Sequence, residues 1–121
     1  LNAAEPVPVT AAVVRLANLV LPVLHDVVDA FARDDASKAS TIEAMDDPID
    51  EEYNRLVKDV IAFMQAHPEG IASCTQLLFM AKNLERIGDR ATNIAETVLF
   101  IVAGGAMQAV RRPKVLPALE S

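Results

Sequence analysis

The chain has 121 residues, of which 52% are hydrophobic and only 4% aromatic, with 11 Lys and Arg against 17 Asp and Glu. That length holds one domain with a single core, and a core so poor in aromatic residues is one of packed helices, not of β-strands. The net charge of −6 excludes a reader of nucleic-acid backbones, whose footprint is basic, and the lone Cys74 excludes an internal disulfide and suits a reducing compartment.

Residues 1–9, with Pro6 and Pro8, read as an extended lead-in. The opening Leu1, with no initiator Met, reads as the start of a fragment of something longer or of a processed product. Thr10 is placed to cap a first helix, along which Val13, Leu16, Leu19/Val20, Val23/Leu24, Val27/Val28 and Phe31 recur every three or four residues. Pro22 is expected to kink that helix or remove one of its hydrogen bonds. Asp34 and Asp35 mark a break, and either can cap the next helix.

The second helical stretch is expected over residues 36–66, with Ile42, Ile49, Tyr53, Leu56, Val60 and Phe63/Met64 keeping the period. Pro48 falls inside it, between Asp46 and Asp50, and is expected to disturb the helix there. His67-Pro68-Glu69-Gly70 is a compact stop and turn. The third stretch, residues 71–103, carries Leu77/Leu78, Ala81, Leu84, Ile87, Ala91, Ile94, Val98 and Ile101, and Gly104-Gly105 ends it. Residues 106–121, with Arg111-Arg112-Pro113, read as a C-terminal tail. The longest apolar runs, such as residues 98–103, fall far short of the roughly 18 to 20 residues that span a bilayer, and no secretory signal is visible. Three long helices joined by short turns make an all-α, antiparallel three-helix bundle over residues 10–105.

Two pairs of carboxylates carry the functional signal. Asp46 and Asp50, and again Glu85 and Asp89, are four residues apart, so each pair projects from one face of a helix about one turn apart. The turn centres near residue 68 or 69, which places the two pairs roughly 30 and 28 Å from it at 1.5 Å per residue. A simple hairpin therefore sets the pairs level. Two unit charges about 6 Å apart cost on the order of 3 kcal/mol at an effective dielectric of 20. Such a cluster calls for a bound cation or a proton. Carboxylate oxygens are hard donors, suited to Mg, Mn, Ca or iron. The alternative is a solvated acidic face balanced by Lys82, Arg86 and Arg90.

Other residues point nowhere else. His25 and His67 have Pro22 and Met64 three residues before them, so no Glu-x-x-His motif of a ferritin-type di-iron site exists. Cys74 is read as a small core residue, and Gly88 as a point of close approach for a helix or ligand. No phosphate loop and no nucleophile–base set is present. A metallohydrolase or oxidase would need an open coordination position and a base or redox ligand, for which there is no candidate.

Three segments resemble the PhoU family: residues 24–31, Leu-His-Asp-Val-Val-Asp-Ala-Phe; the run from Asp46 through Asp50 to Tyr53; and Asn83-Leu84-Glu85-Arg86-Ile87-Gly88-Asp89-Arg90-Ala91-Thr92-Asn93-Ile94-Ala95-Glu96. That family comprises phosphate-signalling regulators that accompany the bacterial phosphate-specific ABC transporter. The resemblance covers roughly residues 13–103 and implies one repeat, the C-terminal one, of a protein built from two three-helix bundles. It implies metal ligation by Asp46, Asp50, Glu85 and Asp89, extended less firmly by Asn93 and Glu96, with iron, zinc, manganese or magnesium as the metal. Arg90 stands where many members have His, and Arg also occurs there in the family. The implied role is that of a non-enzymatic, cytoplasmic adaptor between the transporter's ATPase and a sensor histidine kinase. It would restrain phosphate uptake and the starvation response, with homodimerisation replacing the second bundle, no nucleic acid and no membrane insertion. A metal-free helical interaction domain is the alternative.

Overall fold

A computed structural model describes residues 7–104, so the expected tail at 106–121 and the first six residues of the lead-in lie outside the described residues. Four helices succeed one another: α1, Val7–Arg33; α2, Ala36–Glu43; α3, Asp46–Ala66; and α4, Ile71–Ala103. A single 3-10 turn, Pro68–Gly70, joins α3 to α4. No strand occurs among the described residues. The architecture is the expected all-α bundle, with α2 and α3 together taking the place of its second helix.

The first helix begins at Val7, earlier than Thr10. Pro8 falls in its first turn, where a missing N–H costs nothing. The helix also runs unbroken through Pro22. The carbonyl that Pro22 deprives of a partner belongs to Asn18, and both residues are exposed, so water can serve it. At the far end Asp34 adopts φ 50°, the left-handed conformation that Asp tolerates better than most residues. The Asp35 N–H then donates to the Ala30 carbonyl at 2.9 Å and the Asp34 N–H to the Phe31 carbonyl at 3.5 Å, closing a Schellman motif. The Asp35 carboxylate in turn accepts from the Lys38 N–H at 3.0 Å and caps α2. Asp29 holds Arg33 at 2.9 Å and Lys38 at 2.7 Å, clamping the corner.

The expected continuous helix over 36–66 is broken at Ala44 and Met45. The α2 ladder tightens there, with the Met45 N–H donating to the Ile42 carbonyl at 2.9 Å. In the restarted helix Asp46, Asp47 and Pro48 are the first three residues, and the Ile49 N–H makes the bond to the Met45 carbonyl at 3.1 Å. Pro48 therefore lies where backbone N–H groups have no helical partner and removes no hydrogen bond. The disturbance expected from it falls one turn earlier, at Ala44, whose carbonyl Pro48 cannot pair with, and the helix between Asp46 and Asp50 is continuous. Asp46 and Asp47 also sit at the favourable, positive end of the α3 dipole.

The core is aliphatic and runs the length of the bundle. Leu16, Val20 and Val27 of α1, Ile42 of α2, Ile49, Leu56 and Val60 of α3, and Val98 of α4 are all buried. On α4 the inward line is made of small residues, Ala81, Gly88, Ala91 and Ala95, with Cys74 buried near its start as expected. A Cβ built on Gly88 would lie 3.2 and 3.3 Å from two Ile49 methyls and 3.6 Å from a Val20 methyl. Gly88 is thus a point of close approach of α4 to α3 and α1.

By length and composition α1 qualifies as a membrane span, with mean hydropathy 1.6 over Pro8–Arg33. Uninterrupted apolar runs alone do not reveal this. Its Val20, Val23 and Val27 are nevertheless part of the bundle core.

Replacing Gly88 by Val should destabilise the fold by about 2 kcal/mol, because the overpacking at Ile49 and Val20 outweighs the helix propensity recovered. Urea unfolding monitored by circular dichroism measures it.

Candidate metal centre

The register of the α3–α4 hairpin decides what the four carboxylates can do. Ile49 against Gly88 sets one level of that register, and the Thr92 hydroxyl, 3.3 Å from Asp46 Oδ1, sets the next. Both levels sum to 137 or 138 in residue number, as a hairpin turning near residue 69 requires. Asp46 and Asp50 therefore face Glu85 and Asp89, as the spacing predicts.

Asp50 records the convergence. Burial raises its carboxyl above the ordinary carboxylate value of 3.8, and the charges of Asp46, Glu85, Asp89 and Asp47 raise it further. Two of these, Glu85 and Asp89, reach it from the opposite helix. Asp50 is nevertheless exposed, so solvent screens much of this repulsion.

Two of the four acids already have partners. Lys82 Nζ donates to Glu85 Oε1 at 2.9 Å and lies 5.3 Å from the centroid of the Tyr53 ring, a cation–π distance. That hydrogen bond to Glu85 is the main reason the Lys82 ammonium is held above its usual pKa. Thr92, 2% exposed, is a polar residue buried in the core. Its hydroxyl lies 2.9 Å from the Asp89 carbonyl oxygen as well as 3.3 Å from Asp46, and its single proton serves one of them at a time.

The donor set suits a hard cation: four carboxylates, no thiolate and no imidazole. Yet among the described residues no three His, Cys, Asp or Glu side chains are gathered closely enough to hold one ion as they stand. Closing the set requires Glu85 to leave Lys82 and Asp46 to turn from Thr92. Asn93 and Glu96 continue along α4, partly buried.

Spacing alone assigns Lys82, Arg86 and Arg90 one shared balancing role, and the structure separates them. Only Lys82 joins the acids, whereas Arg86 and Arg90 line a shallow depression with Leu24 on the far side of α4. The role of Thr92 was missed. Its signal was a hydroxyl residue four positions after Gly88, on the inward line of α4 and level with Asp46. The two histidines stay out of the site: His25 is an exposed helix residue beside Asp26, and His67 ends α3 with its ring 4.5 Å from that of Phe63.

Comparison with known proteins gives a consistent result. The family described as PhoU domain matches residues 13–98. A protein of Caulobacter vibrioides (strain NA1000 / CB15N), named phosphate-specific transport system accessory protein PhoU homolog, is 40% identical over 116 residues, 95% of this chain and 50% of the relative. A protein of the same name from Rhizobium meliloti (strain 1021) is 44% identical over 100 residues, covering 83% of this chain and 42% of the relative. The phosphate-specific transport system accessory protein PhoU of Escherichia coli (strain K12) is 37% identical over 97 residues, 80% of this chain and 40% of the relative. The chain spans half or somewhat less of the length of these curated relatives. No solved structure matches it.

A carboxyl whose folded pKa lies above its unfolded value stabilises the fold when protonated, and that contribution is lost as pH rises through the folded pKa. Asp50→Asn should therefore raise the melting temperature of the chelator-treated protein at pH 7. Near pH 3, where Asp50 is protonated folded or unfolded, the gain should vanish. Melting curves at the two pH values check this.

Proposed function

We propose, from the premise that this chain belongs to the PhoU family, that it is a non-enzymatic regulatory module of phosphate homeostasis. The observation that carries this reading is its similarity, over most of its own length, to proteins named accessories of the phosphate-specific transport system. It works in the cytoplasm as a homodimer and docks on the ATPase of the phosphate transporter and on a phosphate sensor histidine kinase. Through these contacts it restrains phosphate uptake and the starvation response. Recognition by helix surfaces is the whole of its mechanism.

Asp46, Asp50, Glu85 and Asp89 are the residues that would hold metal, with iron, manganese, magnesium or zinc as the ion. When bound, the cation supplies positive charge that offsets repulsion among the four carboxylates. The chain's own part is positional. Gly88 and Ile49 hold the two helices close, Thr92 orients Asp46, and Lys82 neutralises Glu85 when no cation does so. To serve as a ligand, Glu85 would have to release Lys82, which pairs with it here at 2.9 Å.

A second reading, a metal-free interaction domain with an acidic face, is favoured by that same Lys82–Glu85 pair and by the lack of a closed three-ligand group among the described residues. Metal content separates the two. Plasma mass spectrometry on the untagged protein should find bound metal that chelator removes, and Asp46→Asn combined with Glu85→Gln should abolish it while preserving helicity. Equal metal content in wild type and double variant rules the four carboxylates out as ligands. The regulatory role is tested apart from metal. In bacteria lacking their own accessory protein, expression of this chain should lower phosphate uptake, and unchanged uptake contradicts the role.

A further inference from the structure

We propose that Lys82 is a latch on the acidic centre, a tethered cation that holds Glu85 in place of a metal ion and so sets how strongly the four carboxylates take one up. Lys82 Nζ donates to Glu85 Oε1 at 2.9 Å, and the same ammonium lies 5.3 Å from the centroid of the Tyr53 ring. Glu85 follows Lys82 by three residues on α4, whereas Tyr53 belongs to α3, one turn beyond Asp50. The ammonium therefore touches both helices, at the edge of the cluster formed by Asp46, Asp50, Glu85 and Asp89.

Its surroundings set Lys82 apart from the other cations of α4. Arg86 and Arg90 turn to the depression beside Leu24 and leave the acids to Lys82. Tyr53 is partly buried and packed against the core, so its ring is a fixed seat. The ring attracts the ammonium electrostatically and keeps it beside Glu85, opposing its displacement into solvent. Thr92 holds Asp46 at 3.3 Å, but through a neutral hydroxyl that brings no charge to the cluster. Of the two acids with partners, Glu85 is thus the one whose partner is itself a cation.

Exposure decides how firmly the latch holds. The Lys82 side chain is 54% exposed and that of Glu85 20%. An ion pair so open to solvent is worth a factor of about 5 at most in an equilibrium. A pair of this strength lowers the affinity of the centre without closing it. Releasing it needs no backbone movement, because Lys82 and Glu85 part by changing side-chain rotamers alone. Affinity for a cation is therefore written partly in a residue that never ligates it.

The latch regulates the cation centre of the proposed function and so rests on that reading, and the test separates the two. Manganese(II) alone is titrated into the chelator-treated and desalted protein at physiological salt, with the free ion followed by electron paramagnetic resonance. Lys82→Met removes the ammonium and should tighten manganese binding by about 3- to 5-fold. Tyr53→Leu removes the seat while keeping the charge, and should tighten binding by about 2-fold. Lys58→Met removes the same charge from an exposed position on α3, roughly 12 Å along the helix from Asp50. That exceeds the screening length of ~8 Å at physiological salt, so binding should not change. Circular dichroism should be the same for all three variants. Asp46→Asn added to Lys82→Met should abolish the gain, which locates the ion among the four acids.

Binding by Lys82→Met no tighter than by wild type overturns the latch and leaves the metal centre standing. Equal tightening by Lys82→Met and Lys58→Met also overturns it, because net charge alone then accounts for the gain. Absence of binding to both wild type and Lys82→Met at millimolar manganese overturns the latch and the metal centre together. Binding by Lys82→Met where wild type shows none is the expected result in its strongest form.

Discussion

The close approach of Gly88 to Ile49 is the contact on which the rest of the molecule depends. Ile49 is buried one turn into α3, between Asp46 and Asp50, and Gly88 lies between Glu85 and Asp89. With only 3.2 Å separating a would-be Cβ from the Ile49 side chain, the two helices are locked in distance and in level at the point where the acids face each other. The restart of α3 at Asp46 serves the same end. It places Pro48 in the first turn of α3, where it costs that helix no hydrogen bond. Packing and site geometry are thus one constraint, and the apolar contact holds together what electrostatics would separate.

That opposition explains the polar residues around the site. Repulsion and burial favour the protonated form of Asp50. Lys82, steadied over the Tyr53 ring, takes up one acid, and Thr92 reaches a second from inside the core. Each is an internal substitute for positive charge or for water. A cation held by the four carboxylates would compete with both. In the structure the pairing within the chain, Lys82 with Glu85 and Thr92 with Asp46, is the arrangement the acids adopt.

Much of this was legible from the residues. The 3.6-residue period exposes the helices because aliphatic residues recur inward, and equal distances from the His67–Gly70 turn place the two acidic pairs level whatever the packing details. Pro48 signalled a disturbance, but its place was harder to read: a proline acts on the carbonyl four residues before it, so the break falls at Ala44 and Met45 and the turn between Asp46 and Asp50 stays helical. Neighbouring apolar residues in α1, such as Val23 with Leu24 and Val27 with Val28, also resist reading. Two residues 100° apart cannot both point at the same core, and the structure assigns Val23 and Val27 inward and Leu24 and Val28 outward. The partners of Glu85 and Asp46 depend on side-chain reach, which spacing does not encode.

The central claim is that Asp46, Asp50, Glu85 and Asp89 form one cation site at the α3–α4 surface. Anomalous diffraction from crystals grown with manganese tests it most directly. The account predicts an anomalous peak coordinated by carboxylate oxygens from both helices, with Lys82 displaced from Glu85. Crystals with no peak between these helices, and with Lys82 still bound to Glu85, would contradict it.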